Sequence, residues 1–238
     1  MPTNTEQKKL HIVSFDVPYP PNYGGVIDVF YKLKSLSKLG VIITLHTYEY
    51  GRGQALELER YCAKVYYYKR KKSYKDLVSR KPFIVKTRSS KKLMNRLLLD
   101  KNPILFEGLH TTFPLNFTSF PERIILVRTH NIEHRYYDGL GKSETSKYKK
   151  AFFKTESKKL ERYEVVLEKA DHLLTISPYE HDYFAQKYGD KTVYIPAFFQ
   201  NKALPFIEGK EKFALWHGDL RVSDNRKALH KTIAIFKK

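Results

Sequence analysis

The sequence predicts an α/β protein built on a doubly wound, mainly parallel sheet. Three observations predict it. Short β-branched runs alternate with helical patterns along the chain. The segments between them are short, as crossover connections in such sheets are. The first strand pattern also runs through a turn with three prolines and the pair Gly24-Gly25 straight into a helix. A strand that ends in a glycine turn and opens a helix brings backbone N–H groups close to a phosphate or a sugar.

Residues 11–15 form the first apolar strand pattern, and the helix begins at the glycine pair. Glycine suits that turn because a Cβ would block close approach or a positive φ. The spacing is not the GxGxxG dinucleotide fingerprint, and Gly51-Arg52-Gly53 does not supply one. Strand patterns follow at residues 41–46 and 64–68, a helix at 91–99, and strands at 104–107 and 123–129, where RIILVRT is the clearest buried run. Residues 146–170 read as one long charged helix free of Pro and Gly. A strand at 172–176 and a helix at 178–188, stopped by Gly189, come next. Ser177, Pro178 and Glu180 compose an N-terminal capping box for that helix. A strand at 192–195 ends at Pro196.

Residues 197–211 read as a linker, with mixed polarity and no clear period. Residues 213–216 again read as a strand, turning at His217-Gly218 into a helical pattern from about Asp224. The expected organisation is therefore a complete lobe over 1–196, a linker over 197–211, and the first βα unit of a second lobe over 212–238. That last stretch is far shorter than the roughly 100 residues or more of a full doubly wound lobe.

Composition narrows the function. With 42% hydrophobic and 14% aromatic residues the 238-residue chain can bury a core. No apolar run approaches a membrane span, and MPTNTEQKKL has no apolar leader core. The single cysteine, Cys62, excludes internal disulfides and Cys-based zinc sites. A cytoplasmic protein is the plain expectation. Lys+Arg 44 against Asp+Glu 25 gives a formal charge of +19. Residues 64–101 carry 14 basic residues against Asp76 and Asp100. Lys69, Arg70, Lys71, Lys72, Arg80 and Lys81 make this a candidate patch for an anionic acceptor or an anionic membrane face. The plainer alternative, a solvated basic surface, comes second.

Six landmarks in order carry a resemblance: PYPPNYGG after the first strand, FEGLH at 106–110, RTHNIEHRYY at 128–137, ADHLLTISPYE at 170–180, VYIPAFF at 193–199 and ALWHGDL at 214–220. Together they resemble the N-terminal half of a GT-B glycosyltransferase of the family 4 type. The resemblance implies two Rossmann-like lobes, the first binding the acceptor and the second mainly a nucleotide sugar. It implies hexosyl transfer, mannosyl being one option, to a saccharide or lipid-linked acceptor, with retention and without a metal cofactor. Consistently, none of the ten aspartates begins a DxD motif. It also implies polysaccharide biosynthesis, while the basic stretch 64–101 adds the expectation of a peripheral position on the inner membrane face.

By the same resemblance His130 is the histidine that faces the donor sugar, and Gly24 and Gly25 serve the phosphate or sugar. Glu107 and His110 stand where a parallel strand ends, the usual ligand edge; Glu107 reads equally as a ligand to an acceptor hydroxyl and as a helix cap. Glu133 and His134 orient His130 or join a surface network, the structural reading being the favoured one. In the second-lobe fragment Asp219 follows Gly218 where many relatives carry arginine, and Arg221 or Lys227 substitutes only loosely. The relatives' later nucleotide-binding segment, with its paired glutamates, has no counterpart in the chain, so a separate or missing C-terminal lobe is an expected partner and activity of the chain alone is not implied.

Two readings from other classes remain. HNIEH fits the inverted zinc-hydrolase pattern H-x-x-E-H, with His130 and His134 as ligands and Glu133 activating water. That chemistry needs both histidines on one helical turn, whereas His130 directly ends a strand. A basic nucleic-acid-binding or membrane-docking protein without catalysis rests on charge alone, since no RRM, KH or helix-turn-helix signature accompanies it.

Overall fold

The computed structural model describes residues 7–71, 73–200, 209, 212–220 and 223–236. Seven strands form one sheet: β1 (Lys9–Ser14), β2 (Ile42–Glu49), β3 (Lys64–Lys69), β4 (Ile104–Glu107), β5 (Ile125–Thr129), β6 (His172–Thr175) and β7 (Thr192–Tyr194). Every pairing is parallel and the order is β3-β2-β1-β4-β5-β6-β7. The chain direction across the sheet reverses between β1 and β4, so the crevice beyond their carboxyl ends is the place where such sheets bind ligands.

The strands alternate in which face they fill, as a two-residue period requires. Ile12 and Leu105 are neighbours in register and join a core with Val26, Val29 and Leu33 from α1 (Gly24–Lys38). Val13, Phe106 and Val127 occupy the other face with Leu93, Leu97, Leu160 and Phe184. Those residues come from α3 (Lys91–Leu97), α5 (Lys147–Tyr163) and α6 (Pro178–Tyr188). A one-turn helix, α2 (Phe83–Lys86), precedes α3. Helices on both faces of a parallel sheet bear out the expected class.

Three local expectations change. The long helix is shorter than the sequence suggests: α5 ends at Tyr163 and a 3-10 segment, Glu164–Lys169, completes the stretch. Before it lies a helix the sequence did not announce, α4 (Glu133–Ser143), which holds Gly139 and Gly141. Gly141 lets α4 approach α5 closely: a Cβ there would stand 3.3 Å from Cβ of Phe153, tighter than ordinary contact. Residues 213–216, expected as a strand, form none. A strand needs a neighbour for its backbone groups, and among the described residues this segment pairs with none of the seven strands. The helix expected from about Asp224 is present as α7 (Ser223–Phe236) and reaches α4, where Lys227 Nζ donates to the Lys142 carbonyl (3.3 Å).

Candidate functional site

At the carboxyl edge of the sheet a cavity of about 430 Å³ is lined by Phe15, Tyr23, Gly24, Gly25, Asp28, His110, His130, Asn131 and Tyr136, among others. Phe15 follows β1, His110 follows β4 and His130 follows β5. Three separate stretches of sequence thus converge because parallel strands all end on the same side.

The glycine pair opens α1 with helical φ, so the positive-φ reason for glycine does not apply there. Close approach does. A Cβ on Gly25 would lie 2.7 Å from Cζ of Phe15, while one on Gly24 would meet nothing within 4 Å. No side chain caps this helix and its first turn has no acid, so its leading N–H groups face the cavity without a partner from a capping side chain. Gly108 has φ +75 and turns the chain after β4; its N–H donates to the Arg128 carbonyl (2.8 Å).

Beneath the cavity lies a charged network that the sequence reading missed. Lys32 Nζ donates to Asp28 Oδ2 (2.9 Å) and to Glu107 Oε1 (2.7 Å). Glu107 Oε2 is 3.0 Å from His130 Nε2. Arg128, fully buried, donates to Asp28 Oδ1 (2.9 Å) and Oδ2 (3.2 Å) and to the carbonyls of Ile195 (2.6 Å) and Pro196 (3.1 Å). Burial alone would raise the Asp28 and Glu107 carboxyls. Lys32, with Arg128 beside Asp28 and His130 beside both, outweighs it and holds both below the usual carboxylate range. With Glu107 ionised, the bond to it places a proton on His130 Nε2. In the neutral ring Nδ1 is then the acceptor for a ligand. Phe15 packs edge-on against the His130 ring at 5.4 Å and fixes its plane. Glu107 is therefore the positioning partner of His130; it sits fully buried and caps no helix.

Asp28, Glu107 and His130 bring one potential metal-ligating atom each within 4.8 Å of one another. The Lys32 ammonium already stands between the two carboxylates and supplies the positive charge there, so a metal ion would have to displace it.

Half-buried His110 and buried Glu133 form a second pair, His110 Nδ1 lying 3.8 Å from Glu133 Oε1, beyond hydrogen-bond reach. Among the described residues none hydrogen-bonds to that nitrogen or to either Glu133 oxygen. Burial pushes Glu133 up to about 7, against smaller opposing effects of Asn131 and Arg88. Burial, then Arg88, His130 and Arg70, hold His110 well below the usual histidine range, so it is neutral. His134 turns the other way, its Nδ1 3.3 Å from Glu164 Oε2. The histidines of HNIEH thus address different carboxylates, Glu107 and Glu164, and do not share a metal-like focus.

Of the other expected site residues, Gly218 packs against Trp216 and Asn225 and is not among the cavity's lining residues. Arg221 and Lys72 lie outside the described residues. Lys69, Lys71 and Arg80 are exposed. Lys81 is half-buried over the Phe117 ring at 4.9 Å. Arg70 is half-buried too: it lies 4.3 Å over the Tyr50 ring and its Nε donates to Thr87 Oγ1 (2.8 Å). Ser177 Oγ accepts from the Glu180 N–H (3.3 Å) and caps α6, as expected.

No protein-family model matches the chain. A Klebsiella pneumoniae protein described as "Uncharacterized 44.6 kDa protein in cps region" is 31% identical over 154 residues, 61% of this chain and 39% of that protein. Among solved structures, LpCGTa in complex with UDP aligns over 82% of this chain and 55% of its own, at 12% identity and a TM-score of 0.53. UGT2 of Phytolacca americana, complexed with UDP-2fluoro-glucose and pterostilbene, aligns over the same shares at 10% identity and a TM-score of 0.52. The chain spans about half the length of these solved proteins and less of the curated relative. At such identities the likeness concerns architecture, and the architecture is that of a GT-B glycosyltransferase-like fold.

Proposed function

We propose that the chain is the acceptor-binding lobe of a glycosyltransferase that moves a hexosyl unit from a nucleotide sugar to a saccharide or lipid-linked acceptor. One observation carries this reading. In a GT-B-like fold, His130, His110 and the Gly24-Gly25 helix start line one cavity beyond the switch point of the sheet, and Glu107 holds His130 from beneath it. The UDP and UDP-2fluoro-glucose named with the two solved proteins add support for a nucleotide-sugar donor.

The chemistry asks for little more. Glycosyl transfer develops positive charge on the sugar ring and negative charge on the departing diphosphate. The uncapped N–H groups of α1 oppose negative charge through their own partial positive charge. His130, oriented by Glu107, meets a sugar hydroxyl through Nδ1 and contributes position. Lys32 sits where a metal would otherwise bind, in keeping with metal-independent transfer. Retention of configuration, a mannosyl donor and a role in polysaccharide biosynthesis are finer parts of the same proposal. A second, larger lobe completes the donor site in it.

Hydrogen exchange with a panel of UDP and GDP sugars and free saccharides tests the proposal. Ligand-dependent protection is expected at residues 24–28, 107–110 and 130–136, and His130→Ala should abolish it while the fold persists. Protection elsewhere, or none with any member of the panel, would refute it.

A specific surface favours peripheral attachment to an anionic membrane face. Lys69, Lys71 and Arg80 stand exposed in the same stretch as Tyr74 and Val78, which are 92% and 85% exposed. No helix of the described residues is long and apolar enough to cross a membrane.

A further inference from the structure

The open space at the carboxyl edge of the sheet does not end at the His130 cavity. A groove of about 700 Å³ is lined by Asp16, Tyr19, Asn22, Tyr23, Tyr50 and Arg52. Tyr23 lines both spaces, so they adjoin. Residues 16–23 follow β1 and residues 50–52 follow β2, which pairs with β1 on the side away from β4. The groove therefore extends the cavity along the same edge, away from the switch point. Each space is of the size that takes a small ligand, and the chemistry given to His130 uses only the first.

The groove's aromatic walls are exposed yet held in place. Tyr19, Tyr23 and Tyr50 are 36%, 44% and 47% exposed. The Tyr19 ring packs on Phe30, with centroids 5.6 Å apart, and the Tyr50 ring is backed by Arg70 at 4.3 Å. The Tyr23 hydroxyl donates to Asp16 Oδ2 (2.9 Å). Rings fixed in this way lose little further freedom when a ligand lies on them, and neighbouring exposed aromatics mark a binding surface.

The polar groups between the rings suit hydroxyls. Asp16 is 3% exposed, and the backbone before it is held by buried Arg88, whose Nε donates to the Phe15 carbonyl (3.0 Å). Each Asp16 oxygen accepts one bond, from Tyr23 or from the Val17 N–H (2.9 Å), and a carboxylate oxygen has room for a second. Arg52 donates to Asn22 Oδ1 (2.9 Å) and to the Pro20 carbonyl. That leaves the Asn22 amide N–H groups as donors without an acceptor among the described residues. Arg52 and Asp16 offset one another in charge, so the groove has no net pull on an anion. Acceptors, donors and aromatic faces in one groove match a pyranose. Its hydroxyl edges exchange hydrogen bonds, and its weakly positive C–H faces lie on the negative faces of the rings.

We propose that this groove is a second saccharide subsite, so that the ligand is a chain of at least two sugar units. One unit occupies the His130 cavity, and the next lies against Tyr19 and Tyr50 with Tyr23 at the junction. As a saccharide site it stands on the groove alone; its assignment to the acceptor rests on the glycosyltransferase reading.

Saturation-transfer NMR titration of the purified chain tests the subsite, with methyl glycosides of glucose, galactose and mannose, the homo-disaccharides of each, and uridine. At least one disaccharide should bind about tenfold more tightly than its monosaccharide. Tyr19→Ala and Tyr50→Ala should each remove about fivefold of that gain, with monosaccharide affinity and circular dichroism unchanged. Tyr19→Phe keeps the ring and should retain the gain, as should Tyr148→Ala, at a ring 91% exposed on α5. No gain for any disaccharide, or a gain untouched by both alanine variants, overturns the proposal, and so does uridine competing for the tyrosine-dependent site. The two readings fail separately. Monosaccharide binding without a disaccharide gain would refute the subsite alone, whereas a tyrosine-dependent gain without sugar transfer would refute the glycosyltransferase reading and leave the subsite standing.

Discussion

Glu133 offers a sharp test of the cavity's electrostatics. Its carboxyl is 3% exposed, with both oxygens lacking a hydrogen-bond partner among the described residues. Burial raises it from an ordinary 4.5 to about 7. The folded state therefore holds a proton that the unfolded chain releases between these values, and stability falls as pH rises through that window. At 1.36 kcal/mol per pH unit the loss amounts to about 3 kcal/mol by pH 8. Glu133→Gln keeps the shape and removes the titration. The variant should match wild type within about 1 kcal/mol at pH 5 and exceed it by about 3 kcal/mol at pH 8. Urea unfolding at the two pH values, followed by circular dichroism with a common slope, measures the difference. A variant advantage that is equal at pH 5 and pH 8 would show that the carboxylate is solvated or paired and that the site is not low in polarity.

Asp28→Asn should cost about 3 kcal/mol at neutral pH, the low end for a broken buried ion pair, since Lys32 and Arg128 each keep other partners; an unchanged urea midpoint would contradict the network. Acidification should act in the same direction: Asp28, Glu107 and Glu164 all lie below the usual range. The stability they provide is present above about pH 4 to 5 and lost as pH falls through their folded values, and a midpoint that rises between pH 5 and pH 3 would contradict this. Gly25→Ala should destabilise by about 1–3 kcal/mol by displacing the Phe15 ring, and should broaden the His130 resonances in NMR; sharp, unshifted signals would rule that out. Reversing charge at Lys69, Lys71 and Arg80 together should abolish sedimentation with phosphatidylglycerol vesicles without changing the thermal midpoint, whereas retained binding would dismiss membrane docking by this surface.

The sheet was legible because a parallel strand buried on both faces has to be apolar throughout, and runs such as RIILVRT and residues 104–107 are hard to read otherwise. Helix α4 was not, since EHRYYDGLGKS carries two glycines that weaken a helical pattern. Gly141 is there for contact with α5, information that no local window contains. The same limit applies to the site. His130, Glu107 and the glycine pair lie at strand ends, where position alone suggests a ligand. Asp28 and Lys32 look like an ordinary exposed i,i+4 pair, and only the fold reveals them as 2% and 4% exposed. An acid within the apolar stretch GGVIDVF and an arginine inside a buried strand were the available signals; each needs a partner, and they find one another across 100 residues of sequence. Arg88 gave no such signal, because its stretch reads as one more basic residue in a basic surface.

That network has a consequence for how the site is built. Asp28 receives the Phe198 N–H (2.8 Å) as well as Lys32 and Arg128. Arg128 in turn holds the carbonyls of Ile195 and Pro196, where the chain leaves the sheet. Lys32 passes the connection to Glu107, and Glu107 to His130. The imidazole and the exit of the chain thus share one set of buried charges, all of them satisfied by hydrogen bonds. Such a set is rigid because displacing any member leaves another charge unpaired in a medium of low polarity. His130 is consequently aimed before any ligand arrives, and the direction in which residues 195–198 depart is fixed by the same carboxylate that steadies Lys32 beneath it.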